Sequence, residues 1–150
     1  HIEGGQSLHL ADVLTRRPKV RALLRAALRA KGGVGQSAGA IMMGAFSTTE
    51  IKGDLGDLPY WRAHLRKKGI DFDDAARSKI LDISQCAVFT HLNPQTRSKL
   101  REHVLPRNSC VFAIPDASWV LLDALTGRVL EHHAAVEFYS AMLLQRTADL

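Results

Sequence analysis

Apolar residues between positions 18 and 30 recur with the period of an α-helix. They follow i, i+3, i+4, i+7, i+8 spacing, with arginines on another face, and comprise Val20, Leu23, Leu24, Ala27 and Leu28. Lys31 then supplies a basic last turn, and Gly32-Gly33 supplies a glycine stop. This pattern predicts an amphipathic helix, the clearest element in the chain.

Apolar runs further along predict short strands at positions 86–89, 110–114 and 119–122, and the chain returns at Val129-Leu130 after a Thr126-Gly127 turn. Asn93-Pro94 is a start signal for a helix between the first two strands. Val34 allows at most a very short strand, and the apolar stretch 40–46 predicts a buried helix. Alternating strands and helices predict an α/β fold with a largely parallel sheet flanked by helices.

Composition supports one globular domain over residues 1–150. The chain is 46% hydrophobic and 23% charged, which excludes a disordered tail, and the charged, glycine-containing stretch 48–79 is interpreted as a surface excursion. No apolar run approaches the ~18 residues that a membrane-spanning helix needs. The first residues resemble no signal peptide, so we expect a cytoplasmic protein.

Net charge and cysteine content exclude further classes of function. A net charge of +5 permits attraction to nucleic acid, but no aromatic-interleaved basic stretch or recognition helix supports nucleic-acid binding. Cys86 and Cys110 are too few for a disulfide framework and too far apart for a clustered pair of metal ligands. Their apolar surroundings predict buried free thiols. We expect neither a metal nor a cofactor.

Gly35-Gln36-Ser37-Ala38-Gly39 matches the GxSxG nucleophile elbow. In such an elbow a serine lies on a strained turn between a strand and a helix, and the flanking glycines make room for the close crossing of the chain. The backbone N–H of Ala38, at the start of the following helix, would point toward an oxyanion. A glycine-rich turn with an incidental serine is the alternative interpretation.

A serine nucleophile needs a base and a carboxylate that orients it. Of the seven histidines, His91 alone ends a strongly apolar strand, the end at which parallel sheets present functional side chains. Asp116 follows the next such strand and is the best-placed acid, although a plain Pro-Asp turn would also explain it. Three other acids remain open alternatives: Asp82, Asp123 and Glu131.

The order of these blocks resembles the serine peptidase family of aspartyl dipeptidase (dipeptidase E) and cyanophycinase. The blocks that carry the resemblance are Ile2-Glu3-Gly4-Gly5-Gln6, Gly35-Gln36-Ser37-Ala38-Gly39-Ala40-Ile41, Val88-Phe89-Thr90-His91-Leu92-Asn93 with Arg97, and Ala113-Ile114-Pro115-Asp116 followed by Trp119-Val120-Leu121. The resemblance covers most of the chain, and the GxSAGA block is the most discriminating.

The resemblance implies a class I glutamine amidotransferase-like fold with flavodoxin-like layers, and metal-free cleavage of peptide bonds next to acidic residues. Carried over by position, the triad would be Ser37, His91 and Asp116. Gly5 and Ala38 would be the oxyanion donors, and Gln6 and Arg97 are candidate substrate contacts.

Three features depart from the family. The glycine loop is Glu3-Gly4-Gly5-Gln6 where relatives usually have Gly-Gly-Gly-Asn, and Asp116 stands where relatives usually have glutamate. Relatives also have further strands before the glycine loop. We therefore expect an N-terminally incomplete chain, or a short form completed by a partner or by a homodimer, because a sheet without interior strands leaves an exposed edge.

Two other functions remain open. An α/β-hydrolase-type esterase would need a base after the acid in chain order, which would make His132 or His133 functional and His91 dispensable. A non-catalytic binding module could retain the elbow as architecture. A glutamine amidotransferase is disfavoured because its elbow nucleophile is cysteine.

Overall fold

The computed structural model describes residues 1–5, 7–45, 48, 63, 66–67, 69, 80–102 and 109–140. Within these ranges the chain forms four helices: α1 (Ser7–Arg16), α2 (Pro18–Lys31), α3 (Ala38–Met43) and α4 (Pro94–Glu102). The helix predicted at 18–30 is confirmed as α2. The buried helix predicted at 40–46 is α3, which begins two residues earlier, and α1 was not predicted. The predicted surface excursion at 48–79 lies almost wholly outside the described residues.

The ends of α2 follow from its sequence. Pro18 occupies the first turn, where a missing N–H costs nothing. Gly32 ends the helix with a φ of +73°, and its N–H donates to the Leu28 carbonyl at 2.9 Å. Arg17 alone separates α2 from α1.

The strands form two separate sheets in the described part of the chain. A three-stranded sheet has the order β1 (Ala87–Thr90), β2 (Cys110–Ile114), β5 (Glu137–Ser140), with β1 parallel and β5 antiparallel to β2. The other sheet is an antiparallel hairpin of β3 (Val120–Leu122) and β4 (Val129–His132).

The predicted large parallel sheet flanked by helices, with its glutamine amidotransferase-like and flavodoxin-like layers, is therefore wrong. The apolar runs at 86–89, 110–114 and 119–122 do form strands, β1, β2 and β3, within one residue of the predicted bounds. The pairing of these strands differs from the prediction. Only the β1–β2 connection contains a helix, α4, and parallel pairing needs such a long crossover. After β2 the chain folds into the β3–β4 hairpin and returns antiparallel as β5. An apolar run does not by itself distinguish a central strand from a hairpin strand.

The prediction of two free thiols is also wrong, because Cys86 and Cys110 form a disulfide with their Cα atoms 4.7 Å apart. The cause is the register of the parallel pair. Ala87 lies opposite Val111, so the residues immediately before them are neighbours on adjacent strands. Separation in the sequence gave no indication of this proximity.

The buried apolar side chains of the described residues form two clusters. One joins α4 to the side chains of β1 and β2 that point toward it, and its members are Ala87, Phe89, Leu92, Leu100, Val111, Ala113 and Tyr139. The other joins α1, α2 and α3 to the segment 80–83, and includes the fully buried Ile41, Met42 and Leu81. No helix in the described ranges is both long and apolar enough to cross a membrane.

Candidate active site

The GxSxG segment forms a strained turn. Gly35 makes a parallel bridge with Ile2, and α3 begins at Ala38, immediately after Ser37. Ser37 itself has φ 50° and ψ −113°, a backbone conformation that non-glycine residues rarely adopt and that persists only when the surroundings impose it. The predicted strand–turn–helix context of the motif is thus present, although the strand is a single bridge.

The two outer glycines are required by close packing. A Cβ atom on Gly35 would lie 2.8 Å from the backbone nitrogen of Ala40. One on Gly39 would lie 2.1 Å from the carbonyl oxygen of Ile2. That oxygen accepts a hydrogen bond from the Gln36 N–H at 3.0 Å, so the N-terminal segment is part of the elbow.

His91 meets Ser37 at the end of β1. Its Nε2 lies 2.7 Å from the Ser37 Oγ. His91 has a φ of 59°, and its carbonyl is held by Asn93 Nδ2 at 3.4 Å and by Thr96 Oγ1 at 3.3 Å. Asn93 and Thr96 also cap α4 reciprocally, each accepting the backbone N–H of the other. The capping pair therefore fixes the turn that aims the imidazole.

Asp116 meets the other side of the same imidazole. Its Oδ1 lies 2.5 Å from the His91 Nδ1. An ionised carboxylate can only accept, so the proton resides on Nδ1, and Nε2 is left to accept the Ser37 hydroxyl. The side chains of His91 and Asp116 are 44% and 78% exposed, so the pair faces solvent.

The structure places the candidate oxyanion donors differently. Among the described hydrogen bonds, the Gly39 and Ile41 N–H groups have the Gln36 and Ser37 carbonyls as acceptors, whereas the Ala38 N–H has none. In the glycine loop, a Cβ on Gly4 would lie 3.6 Å from the Ser37 Oγ, whereas one on Gly5 would meet no atom within 4 Å. Gly5 has a φ of +135°, which L side chains rarely adopt.

Of the two candidate substrate contacts, only Arg97 is described, and it does not line the cleft at the triad. Gln6 lies outside the described residues. Arg97 is paired with Glu137, its Nε donating to Oε1 at 2.7 Å. The hydroxyl of Tyr139 donates to the second oxygen of the same carboxylate. This arrangement raises the pKa of Arg97, chiefly through its hydrogen bond to Glu137.

The pKa of Glu137 moves in the opposite direction. Burial, the largest single influence, raises this pKa, but the hydrogen bonds from Arg97 and Tyr139 together outweigh it and the net direction is downward. Glu137 and Tyr139 were not singled out from the sequence, because they lie on β5, which was not predicted. The Arg97–Glu137 ion pair connects α4 to β5.

The alternative histidines and acids have other partners. The Ser118 hydroxyl donates to the His133 Nδ1 at 3.3 Å, and the His132 Nδ1 donates to the His133 carbonyl at 3.0 Å. Asp82 pairs with Arg25 at 3.1 Å. Asp123 accepts the N–H groups of the following turn, which lower its pKa, and Glu131 lies on the exposed strand β4. Among the described hydrogen bonds, neither His132 nor His133, the bases that an α/β-hydrolase order would need, contacts Ser37.

A cleft of about 700 Å³ opens beside the triad. Ser37, His91 and Asp116 are among the residues that line it, and most of the other lining side chains are apolar. Within the described part of the chain, no group of three or more His, Cys, Asp or Glu side chains converges as a metal site.

Comparison of the chain with models of known protein families, with curated proteins and with solved structures finds no match. The class of protein must therefore be argued from the site.

Proposed function

We propose that this protein is a serine-type peptidase, with Ser37 as nucleophile, His91 as general base and Asp116 as the acid that orients it. One observation carries the proposal: two hydrogen bonds in series, Ser37 Oγ to His91 Nε2 and His91 Nδ1 to Asp116 Oδ1, at 2.7 and 2.5 Å. The first distance is one at which a nucleophile and its base exchange a proton, and the second is one at which a carboxylate orients the imidazole. The strained backbone of Ser37 supports the same role.

The reaction follows from this arrangement. The Ser37 Oγ attacks the scissile carbonyl carbon, and its proton passes to the His91 Nε2. Asp116 stabilises the imidazolium that results. When the C–N bond breaks, the imidazolium returns the proton to the leaving amine, and an acyl-enzyme ester remains. Water then attacks the ester with His91 as base, which releases the acid product and restores the Ser37 hydroxyl.

The developing oxyanion needs donors that are in place before the reaction. The Ala38 N–H follows Ser37 directly and has no described acceptor, so it is available for this role. Gly4 lies close to the Ser37 side chain, and the Gly4-Gly5 backbone is the source of a second donor in this proposal.

The proposal rests on the site rather than on the fold. The large parallel sheet implied by the family resemblance is absent from the described strands, whereas the blocks that contain Ser37, His91 and Asp116 do converge. Triads occur on unrelated folds and are recognised by geometry. The resemblance to the dipeptidase E and cyanophycinase family therefore supports the proposed peptidase chemistry only through the blocks that contain these three residues.

The test is covalent labelling of the purified chain by a fluorophosphonate, in which the Ser37 oxygen bonds to phosphorus and fluoride leaves. We expect wild-type labelling, none in Ser37→Ala, and labelling slowed by roughly 100-fold or more in His91→Ala. Asp116→Asn should be slowed as well, because the imidazole loses its orienting partner.

Matched controls separate this chemistry from general damage. His133→Ala removes a nearby histidine that contacts Ser118 rather than Ser37, and Glu131→Gln removes an exposed carboxylate. Both should label like wild type. Absence of labelling in wild-type protein with a folded circular dichroism spectrum would refute the peptidase proposal and favour a binding module.

The compartment is a separate question. The cytoplasmic location expected from the sequence stays a prediction, and the Cys86–Cys110 disulfide argues against it, because reducing compartments disfavour structural disulfides. Alkylation of free thiols in cells, followed by mass spectrometry, tests this. Alkylated Cys86 and Cys110 would support a cytoplasmic location, and a disulfide between them would support a non-reducing compartment.

A further inference from the structure

The floor of the cleft is one face of the β1–β2 pair. Side chains alternate along a strand, so Ala87 and Phe89 enter the core beneath α4, while Val88 and Thr90 point to the opposite face. Their register partners on β2 are Phe112 and Ile114, which also line the cleft. Three of these four side chains are purely apolar.

The walls of the cleft are apolar as well. Leu28 and Val34, which precede the elbow in the chain, line the cleft, as do Trp119, Leu121 and Leu122, which follow Asp116. Val34, Trp119 and Leu121 are 62%, 46% and 50% exposed, which are large fractions for side chains of this type. An exposed apolar surface continuous with a reactive group is a feature of a ligand-binding site.

A minority of the side chains that line the cleft are polar, and they include the triad. They are His1, Gln36, Ser37, Thr90, His91, Asp116 and Ser118. Among the described lining residues there is no lysine and no arginine. Arg97, the cation suggested by the family resemblance, is held by Glu137 and does not line the cleft.

The geometry points to an apolar acyl side: the substrate residue whose carbonyl meets Ser37 has a large apolar side chain, of the leucine or phenylalanine class, which occupies the cleft over Val88 and Phe112. This inference rests on the proposed peptidase function and replaces the acidic neighbour that the family resemblance implies. An aspartate side chain in the same position would lose its hydration without gaining a lysine or arginine partner among the described lining residues, of which His1 and His91 are the basic ones.

The selectivity follows from burial. A leucine side chain in this cleft would leave water and contact apolar atoms on the floor and walls, which favours it in proportion to the area buried. A carboxylate would be disfavoured for the opposite reason. Together these effects predict a preference of about tenfold or more for the apolar residue.

The experiment uses two peptide aldehydes that differ only in the last residue, N-acetyl-Ala-Ala-leucinal and N-acetyl-Ala-Ala-aspartal. Each forms a reversible hemiacetal with Ser37, in which the Ser37 oxygen bonds to the aldehyde carbon and the hydroxyl proton is transferred to the aldehyde oxygen. Competition against fluorophosphonate labelling gives an inhibition constant for each. We expect leucinal to bind at least tenfold more tightly than aspartal.

A charge introduced into the wall tests the location of the pocket. Val34→Lys places a cation in the cleft, and should weaken leucinal and strengthen aspartal. Leu23→Lys is the matched control, because Leu23 is 72% exposed on α2 and does not line the cleft. The control should retain the wild-type ratio of the two constants.

The outcomes separate the two proposals. If wild-type protein is not labelled at all, the peptidase function fails and this inference fails with it. If labelling occurs but aspartal competes as well as leucinal in wild type, the apolar pocket is refuted and the triad stands. If leucinal is preferred and Val34→Lys changes the ratio no more than Leu23→Lys does, the pocket is not at this cleft and the inference is overturned.

Discussion

The disulfide between Cys86 and Cys110 joins the beginnings of the two parallel strands whose opposite ends lead to His91 and Asp116. β1 ends at Thr90, directly before His91, and β2 ends at Ile114, two residues before Asp116. Thr90 and Ile114 are register partners. A covalent link at one end of this pair therefore helps to hold the register that brings the base and its acid together at the other.

We predict that loss of this link destabilises the fold. The cysteines are 24 residues apart. Release of a loop of this length raises the entropy of the unfolded chain, which lowers the free energy of unfolding by about 3 kcal/mol. Denaturant unfolding of wild type with and without reductant measures the difference. The double variant Cys86→Ala and Cys110→Ala is the control, and its midpoint should not respond to reductant. An equal response in both proteins would contradict the prediction.

The capping pair at the start of α4 yields a second prediction. Thr96→Val removes the hydroxyl that accepts the Asn93 N–H and contacts the His91 carbonyl, so the imidazole should lose its fixed direction. We expect fluorophosphonate labelling to slow several-fold and the free energy of unfolding to fall by about 1 kcal/mol. Ser98→Ala is the control, since Ser98 bonds only the exposed Glu102 on the same helix. Slowing of equal size in Ser98→Ala would show that α4, rather than the cap, is responsible.

The third prediction concerns the close approach at the elbow. Gly39→Ala would place a methyl group 2.1 Å from the Ile2 carbonyl oxygen, which must displace the N-terminal segment from Gly35. We expect a loss of more than about 3 kcal/mol in unfolding free energy, in the range of severe core overpacking. Gly32→Ala separates collision from backbone strain, because Gly32 has a positive φ but open space around it, and should cost about 1 kcal/mol. Similar costs for the two variants would argue against the collision.

The Glu137 carboxylate provides a pH-dependent prediction. Its pKa in the folded protein is lowered by Arg97 and Tyr139, so it contributes stability that is present above the unfolded-chain pKa of about 4.3 and is lost as the pH falls through the folded pKa. Glu137→Gln should therefore be less stable than wild type at neutral pH, and the difference should shrink in acid. Thermal unfolding across pH 3 to 7 measures it. A difference independent of pH would place the effect in packing instead of charge.

Local pattern determined several features of this protein. The helical period at 18–30, with its proline and glycine ends, predicts α2 because the information lies within one turn of each residue. The GxSxG spacing predicts the elbow for the same reason. His91 and Asp116 were selected because each follows an apolar strand, and the parallel β1–β2 pair places both strand ends at one edge.

Tertiary structure decided the rest. Some contacts join segments that are distant in the sequence, and no local period encodes them. They pair Ile2 with Gly35, Cys86 with Cys110, and Arg97 with Glu137. The antiparallel return of β5 is of this kind, and it overturned the expected parallel sheet. Strand partners are chosen by burial and hydrogen bonding across the whole fold, so an apolar run specifies that a strand forms but leaves its neighbour and its direction undetermined.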